Sequence, residues 1–315
     1  EAGTDPWQLA VTPQHFAEHL QVLHRFASPV SLRSLSAGLR SVSLPRRAVL
    51  VTFDDGYADN LLRARPLLEK YDVPATVFIA SGYAGADREF WWDELDRLFL
   101  QPGALPRALH LKLNGNRYTW LLGEGSDYTE ASHSRNLRWR AWQQNDPTSR
   151  HSVYRSLWQM MQPMSDCERQ RVREELLAWA GATASARPSH RALTPDEITE
   201  LAHDGLVEIG CHTVTHPQLS SLSADSQRDE IWRSKARLEE ILDRPVTSFA
   251  YPYGRVCDYT NETVALLREA GFDCACTTSA RAVERGTDPF QLPRVQVEDM
   301  DGESFARMLS ERFGD

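Results

Sequence analysis

Apolar positions recur at helical spacing near the start of the chain, where Phe16, Leu20, Leu23 and Phe26 follow Thr12-Pro13, a pair suited to an N-cap and a first-turn proline. That spacing predicts a helix packed on a sheet. Ser31 to Arg40 reads as a second helix. The run Ala48-Val49-Leu50-Val51-Thr52-Phe53 is short and unbroken, which predicts a buried strand over 48–53. Helical spacing returns over 59–71, and Ala75-Thr76-Val77-Phe78-Ile79 supplies the next strand, so the segment reads as a strand–helix–strand unit. Further along, Thr194-Pro195-Asp196-Glu197 is a capping box that opens a helix ending near Gly205. Strands are expected at 206–209, 246–250, 272–276 and 293–297, with helices near 224–242 and 260–270 between them. Strands alternating with helices predict an α/β fold around a parallel sheet.

Between residues 84 and 190 this alternation breaks. Polar, Arg-rich stretches surround scattered aromatics such as Trp91, Trp92, Trp120, Trp139 and Trp142, and helices are expected at 91–100, 151–162 and 166–180. The stretch reads as a largely helical insertion in a single domain spanning 1–315. Because it follows a strand end, it is placed as a lid or as one wall of a groove, which makes Trp91, Trp92 and Tyr57 candidates for stacking on a ligand. Packing of a local core is the competing expectation for each aromatic.

The composition of 41% hydrophobic residues over 315 positions is enough for a large core. No run approaches the length of a transmembrane helix. A formal charge of -9 argues against a nucleic-acid partner, and oligomeric state is not written in the sequence. Five cysteines, Cys167, Cys211, Cys257, Cys274 and Cys276, are odd in number and lack paired-ligand spacing, so neither a disulfide framework nor a zinc knuckle is indicated. With no leader visible at Glu1 the expectation is a cytoplasmic location, or a periplasmic or secreted one if a leader was trimmed.

Two segments carry chemistry. Asp54-Asp55-Gly56 ends the strand 48–53, the end at which parallel α/β folds keep their sites. Glu208-Ile209-Gly210-Cys211-His212-Thr213-Val214-Thr215-His216 sets two imidazoles four residues apart after another strand. Two imidazoles and a carboxylate can hold a divalent metal. Successive side chains on a strand point to opposite faces, so both aspartates reach one site only if the chain bends, which Gly56 permits. The alternative is that one of them caps the segment beginning at Ala58-Asp59-Asn60. The same ligand types also serve non-haem iron oxygenases, for which nothing else in the chain speaks.

A third segment, Phe249-Ala250-Tyr251-Pro252-Tyr253-Gly254-Arg255, follows a short strand and ends in a turn. Together the three segments resemble the first three motifs of the polysaccharide deacetylase superfamily, the NodB-homology carbohydrate esterases, over roughly residues 48–83 and 192–297. The resemblance implies a distorted, incomplete (β/α) barrel and a metal-dependent hydrolase that removes acetyl groups from an N-acetylated saccharide or polysaccharide. It makes Asp54 the general base, Asp55, His212 and His216 the metal ligands, and the Tyr253 backbone N–H an oxyanion donor. Zinc suits these ligand types, and cobalt, nickel or iron fit the same set.

The chain departs from the family pattern twice. Ala250 stands where the third motif usually opens with an arginine that orients the catalytic aspartate, and no histidine follows His216 to act as general acid. Arg294, in Leu292-Pro293-Arg294-Val295, is the expected substitute for the missing charge at Asp54. These departures leave a second function open, a catalytically impaired, metal-containing carbohydrate-binding protein.

Overall fold

Seven short parallel segments and the helices between them organise the part of the chain that carries the motifs. The computed structural model describes residues 3–41, 44–113, 115–284 and 286–314. Helix α1 (Pro13–Phe26) starts where expected, with the Thr12 side chain accepting from the His15 N–H. Strand β1 (Ser28–Pro29), helix α2 (Leu32–Ser41) and strands β2 (Ala48–Val49) and β3 (Val51–Phe53) follow. Residues 48–53 are thus one extended run in two pieces: β2 pairs with β1, and β3 pairs with β4 (Ala75–Ile79).

The expected helix over 59–71 opens as a π-helical turn, Asn60–Ala64, before α3 (Arg65–Tyr71). Pro66 lacks the N–H that an α-helical ladder would require there, so the preceding turn widens. Helix α4 (Pro195–Leu201) carries the predicted capping box between Thr194 and Glu197, and β5 (Val207–Cys211), α5 (Ala224–Leu242), β6 (Ser248–Ala250), α6 (Asn261–Glu269), β7 (Cys274–Cys276) and α7 (Gly302–Phe313) complete the series.

The five-stranded sheet runs β7-β6-β5-β4-β3, every pair parallel and in chain order. Right-handed crossovers between sequential neighbours and the natural twist of strands curl such a sheet toward a barrel. It stays incomplete. The two-residue period then sorts the side chains. Val77, Ile79, Ile209, Cys211, Phe249 and Ala275 belong to one core with Leu20 of α1, Leu68 of α3, Ile198 of α4, Ile231 of α5 and Leu267 of α6. The alternate positions Phe78, Ala250, Cys274 and Cys276, joined by Leu32 and Leu292, form a second core on the concave side.

The predicted strand at 293–297 is absent. Leu292 alone bridges Cys276, with the Leu292 N–H donating to Ala275 and the Thr277 N–H donating to Leu292. Pro293 has no N–H with which to extend the ladder, so pairing stops there.

Residues Glu1–Ala10 and Asp87–His190 make a compact unit distinct from the one formed by Val11–Ala86 and Arg191–Asp315. Its three longest helices, Trp91–Phe99, Ser149–Met161 and Asp166–Ala180, match the expected positions and enclose Leu95, Phe99, Leu109, Leu157 and Leu176, while a short helix, Glu130–Asn136, was not expected. The unit also holds an antiparallel hairpin, Ala108–Leu113 with Asn116–Leu121, that the helical reading missed. Alternating Leu109, Leu111 and Leu113 before Asn114-Gly115 is its signature in the sequence. Among the described residues, no helix is long and apolar enough to cross a membrane.

Gly210 of β5 sits opposite the fully buried Phe78, and a Cβ at this position would collide with the Phe78 ring and lie 2.7 Å from Ser248 Oγ. Gly210→Ala is therefore expected to destabilise the fold by about 1–3 kcal/mol, measured as a lowered urea midpoint with unchanged slope.

Candidate metal centre

The bend expected at the end of β3 begins one residue before Gly56. Asp55 itself is left-handed, with φ 73°, and Gly56 follows at φ 84°. The turn is pinned on both sides through its backbone carbonyls: Gly56 N–H donates to the Asp54 carbonyl at 2.9 Å, Ala80 N–H to the Asp55 carbonyl at 3.2 Å, and Leu193 N–H to the Gly56 carbonyl at 2.9 Å. A left-handed non-glycine residue costs about 1–2 kcal/mol, and these bonds hold it in place. The helical segment that follows has Asp59 at its N-cap position, with no side-chain cap bond.

His212 continues the line of β5, its N–H donating to Ile79 at 3.0 Å. Its Nδ1 lies 2.7 Å from the Ala250 carbonyl oxygen, which can only accept. Nδ1 therefore carries the proton, and the Nε2 lone pair is left for a ligand. Burial pushes the His212 pKa down, against the opposing pull of the Asp54 charge and the bond to Ala250. The neutral ring that results is the form a metal binds.

The loop after His212 contains two more left-handed residues, Thr213 at φ 66° and His216 at φ 55°. It returns His216 beside His212, the ring centroids 4.8 Å apart and the ring planes inclined at 67°. Asp55 Oδ1 then lies 3.5 Å from His212 Nε2 and 3.4 Å from His216 Nε2. Among the described residues, this is the one group of three such side chains whose ligand atoms all fall within 4.8 Å of one another. Atoms held about 2.0–2.2 Å from a tetrahedral ion stand roughly 3.3–3.5 Å apart, which is the separation of Asp55 from each imidazole. The donor set fits as well: two imidazole nitrogens and one carboxylate oxygen, with coordination positions to spare.

Asp54, the neighbour of Asp55, is held in an ion pair. Arg294 Nη1 donates to Asp54 Oδ1 at 2.7 Å and Nη2 to Oδ2 at 2.8 Å, a two-toothed arrangement. The guanidinium is fixed in turn by Thr277 O at 3.0 Å and Thr52 Oγ1 at 3.1 Å, and lies over the Phe78 ring. Burial raises the Asp54 pKa, but the Arg294 charge, the nearby His212 and the Arg294 hydrogen bonds outweigh it and hold the carboxyl below its usual range. Arg294 itself is raised: burial works against its charge, and Asp54 more than compensates.

Tyr253 is left-handed at φ 61°, as is Gly254 at φ 70°. Thr278 Oγ1 donates to the Tyr253 carbonyl at 2.8 Å, and the Tyr253 ring stands edge-on to His216 at 4.8 Å. A Cβ on Gly254 would lie 2.9 Å from Thr278 N, so this turn requires glycine on two counts. Tyr57 is half-buried and bridges Ala192 beside the Asp55 turn.

Trp91 is 1% exposed within the core of the other unit, which corrects its candidacy for stacking, since a buried ring offers no face to a sugar. Trp92 is half-buried and stacks on Phe90, 4.7 Å between centroids. Cys211 is packing, its thiol pushed up to about 12 by burial. Sequence reasoning missed Glu230 of α5, whose carboxylate accepts from Val214 N, Thr215 N and Thr215 Oγ1 at 2.8, 2.9 and 2.7 Å. It also missed Thr52, although that residue shares the Asp54 face of the strand two positions earlier.

The model of the polysaccharide deacetylase family matches residues 41–102 and 163–275. The Bacillus subtilis (strain 168) protein YxkH, assigned as a polysaccharide deacetylase, is 31% identical over 118 residues, which are 37% of this chain and 41% of that protein's length. Among solved structures, the Streptococcus pyogenes deacetylase PplD in complex with acetate aligns over 96% of this chain and 88% of its own, with TM-score 0.57 and 19% identity. IcaB from Ammonifex degensii aligns over 96% and 89%, with TM-score 0.57 and 20% identity. The structural likenesses speak for the distorted (β/α)-barrel fold, and the family match covers more than half the chain, including the Asp54-Asp55 and His212–His216 segments. This chain belongs to the polysaccharide deacetylase family.

Proposed function

We propose that this protein is a metal-dependent hydrolase that removes acetyl groups from an N-acetylated saccharide or polysaccharide and releases acetate. The observation that carries the reading is the division of labour between adjacent aspartates: Asp55 meets two imidazoles, and Asp54 is held by Arg294. Asp55, His212 and His216 would hold the ion, zinc by ligand type, with cobalt, nickel or iron as substitutes. Bound there, a divalent ion supplies a Lewis acid and brings the pKa of a bound water toward neutrality.

The chain's own groups do the rest. Asp54, kept ionised by Arg294, accepts the proton of the attacking water. The two-toothed pair also fixes its orientation, the role that Ala250 has vacated. The Tyr253 backbone N–H, set by the left-handed turn that Thr278 holds, is the donor for the oxyanion formed at the acetyl carbon. Return of that proton from Asp54 to the departing nitrogen lets the C–N bond break and leaves acetate and a free amine. Acetate bound to the streptococcal deacetylase is the product expected here. A metal-containing saccharide binder without turnover is the second reading, motivated by the lack of any histidine after His216.

Asp54→Asn is expected to cut acetate release from N-acetylhexosamine oligosaccharides by about 10²–10⁴-fold while metal content stays at wild-type level. Asp55→Ala is expected to lose both. An Asp54→Asn enzyme of normal activity would overturn the role given to that residue. Arg294→Ala should lower turnover at least about tenfold with metal retained, and Arg294→Lys, which restores charge without the two-toothed geometry, should recover only part. Steady-state acetate assays beside metal analysis of the same preparations check both.

A further inference from the structure

We propose that Glu230 is a positioning residue for the metal centre, its carboxylate holding the His212–His216 loop in the one conformation that presents both imidazoles to Asp55. The inference rests on the metal-site reading above and adds to it a residue from outside the motifs.

The loop is strained and its backbone is gripped from two sides. Thr213 and His216 are both left-handed, and Thr213 is β-branched, for which that region is a true outlier. On one side the Thr213 and Val214 carbonyls accept from Ser81 N–H at 3.0 Å and Gly82 N–H at 2.8 Å. Gly82 is required for this approach, because a Cβ there would lie 2.7 Å from the Val214 carbonyl oxygen. On the other side the successive N–H groups of Val214 and Thr215 converge on one oxygen of Glu230, at 2.8 and 2.9 Å. The Thr215 hydroxyl donates to the other oxygen at 2.7 Å. Successive amides aimed at one point form a concavity that suits an anion, and Glu230 fills it from within the chain.

Within the loop, His216 N–H donates to Thr213 Oγ1 at 3.0 Å, and Thr213 Oγ1 donates to the His212 carbonyl. These fix the two ends relative to each other. They do not tie the loop to α5. Glu230, half-buried on that helix, is what does so. Without it two N–H groups beside the site lose their acceptor and two left-handed residues lose the contact that over-determines them. The loop then samples conformers in which His216 leaves Asp55, and each costs metal affinity. Outer partners that orient ligands are typically worth about 10–100-fold in affinity.

The nearly isosteric amide supplies the control. In Glu230→Gln the amide oxygen can take both backbone N–H groups and the amide nitrogen can donate to Thr215 Oγ1, so the geometry survives with weaker bonds.

The experiment is zinc affinity by competition with a chromogenic chelator on the purified full chain, with circular dichroism and melting of the apo protein measured alongside. Glu230→Ala is expected to weaken zinc binding at least about tenfold, and Glu230→Gln to recover most of that loss. Thr215→Val, which removes the hydroxyl bond alone, is expected to weaken it by a few-fold and keeps the test open if the alanine variant fails to fold. A purely structural role would lower the apo melting temperature of Glu230→Ala and leave the affinity of the folded fraction unchanged. A folded Glu230→Ala that binds zinc within about threefold of wild type overturns the inference, as does a Glu230→Gln as weak as the alanine variant. If Glu230→Ala does not fold, wild-type affinity in Thr215→Val overturns it. Wild-type protein that binds no divalent ion overturns instead the metal reading on which the inference rests.

Discussion

At the end of β3 the chain turns left-handed for two residues, Asp55 and Gly56, and this turn decides which way two neighbouring carboxylates point. On an unbroken strand Asp54 and Asp55 would face opposite sides of the sheet. With the turn, Asp54 keeps the concave side shared by Thr52, and Asp55 swings to the strand end where His212 and His216 wait. The conformation is costly for aspartate, and the hydrogen bonds from Ala80 and Leu193 are the framework that sustains it. The Asp55–His212–His216 cluster and the chemistry proposed for it both depend on that backbone step.

A second constraint comes from the far end of the chain. Sheet order follows chain order, so β3 and the segment at Leu292 lie at opposite edges of the curled sheet. Arg294 reaches from beyond one edge to Asp54 at the other, across the concave core and over Phe78. The small residues Gly210, Ala250 and Cys276 on that side leave room for Phe78 and the guanidinium. Ala250 thus reads as part of an exchange: the charge lost from the third motif returns from Arg294, in the segment after Leu292. A buried guanidinium without a carboxylate would be strongly destabilising, so the two ends of the chain are tied by the same pair that orients the candidate base.

Much of this was legible in the sequence because it follows local rules. The strands at 48–53 and 75–79, the caps at Thr12 and Thr194, and the paired motifs need only periodicity and spacing, whereas Arg294 needs the family resemblance, which exposes a missing charge at Ala250, and its place at the start of a β-branched run. What stayed hidden depends on tertiary packing. Pro293 ended a strand that its β-branched neighbours advertised, and Pro66 widened a helix that apolar spacing predicted as regular. Trp91 looked available for sugar until its burial was known. Glu230 had no signal at all, because nothing in a charged helix marks the one acid that meets a loop.

The central claim is that Asp55, His212 and His216 share one divalent ion beside an Arg294-held Asp54. A crystal soaked in zinc and measured at the zinc absorption edge tests it most directly. The account predicts a single strong anomalous peak about 2.0–2.2 Å from one Asp55 oxygen and from both Nε2 atoms, with Asp54 still paired to Arg294. No peak there at saturating zinc, or the two imidazoles turned away from Asp55, would contradict it.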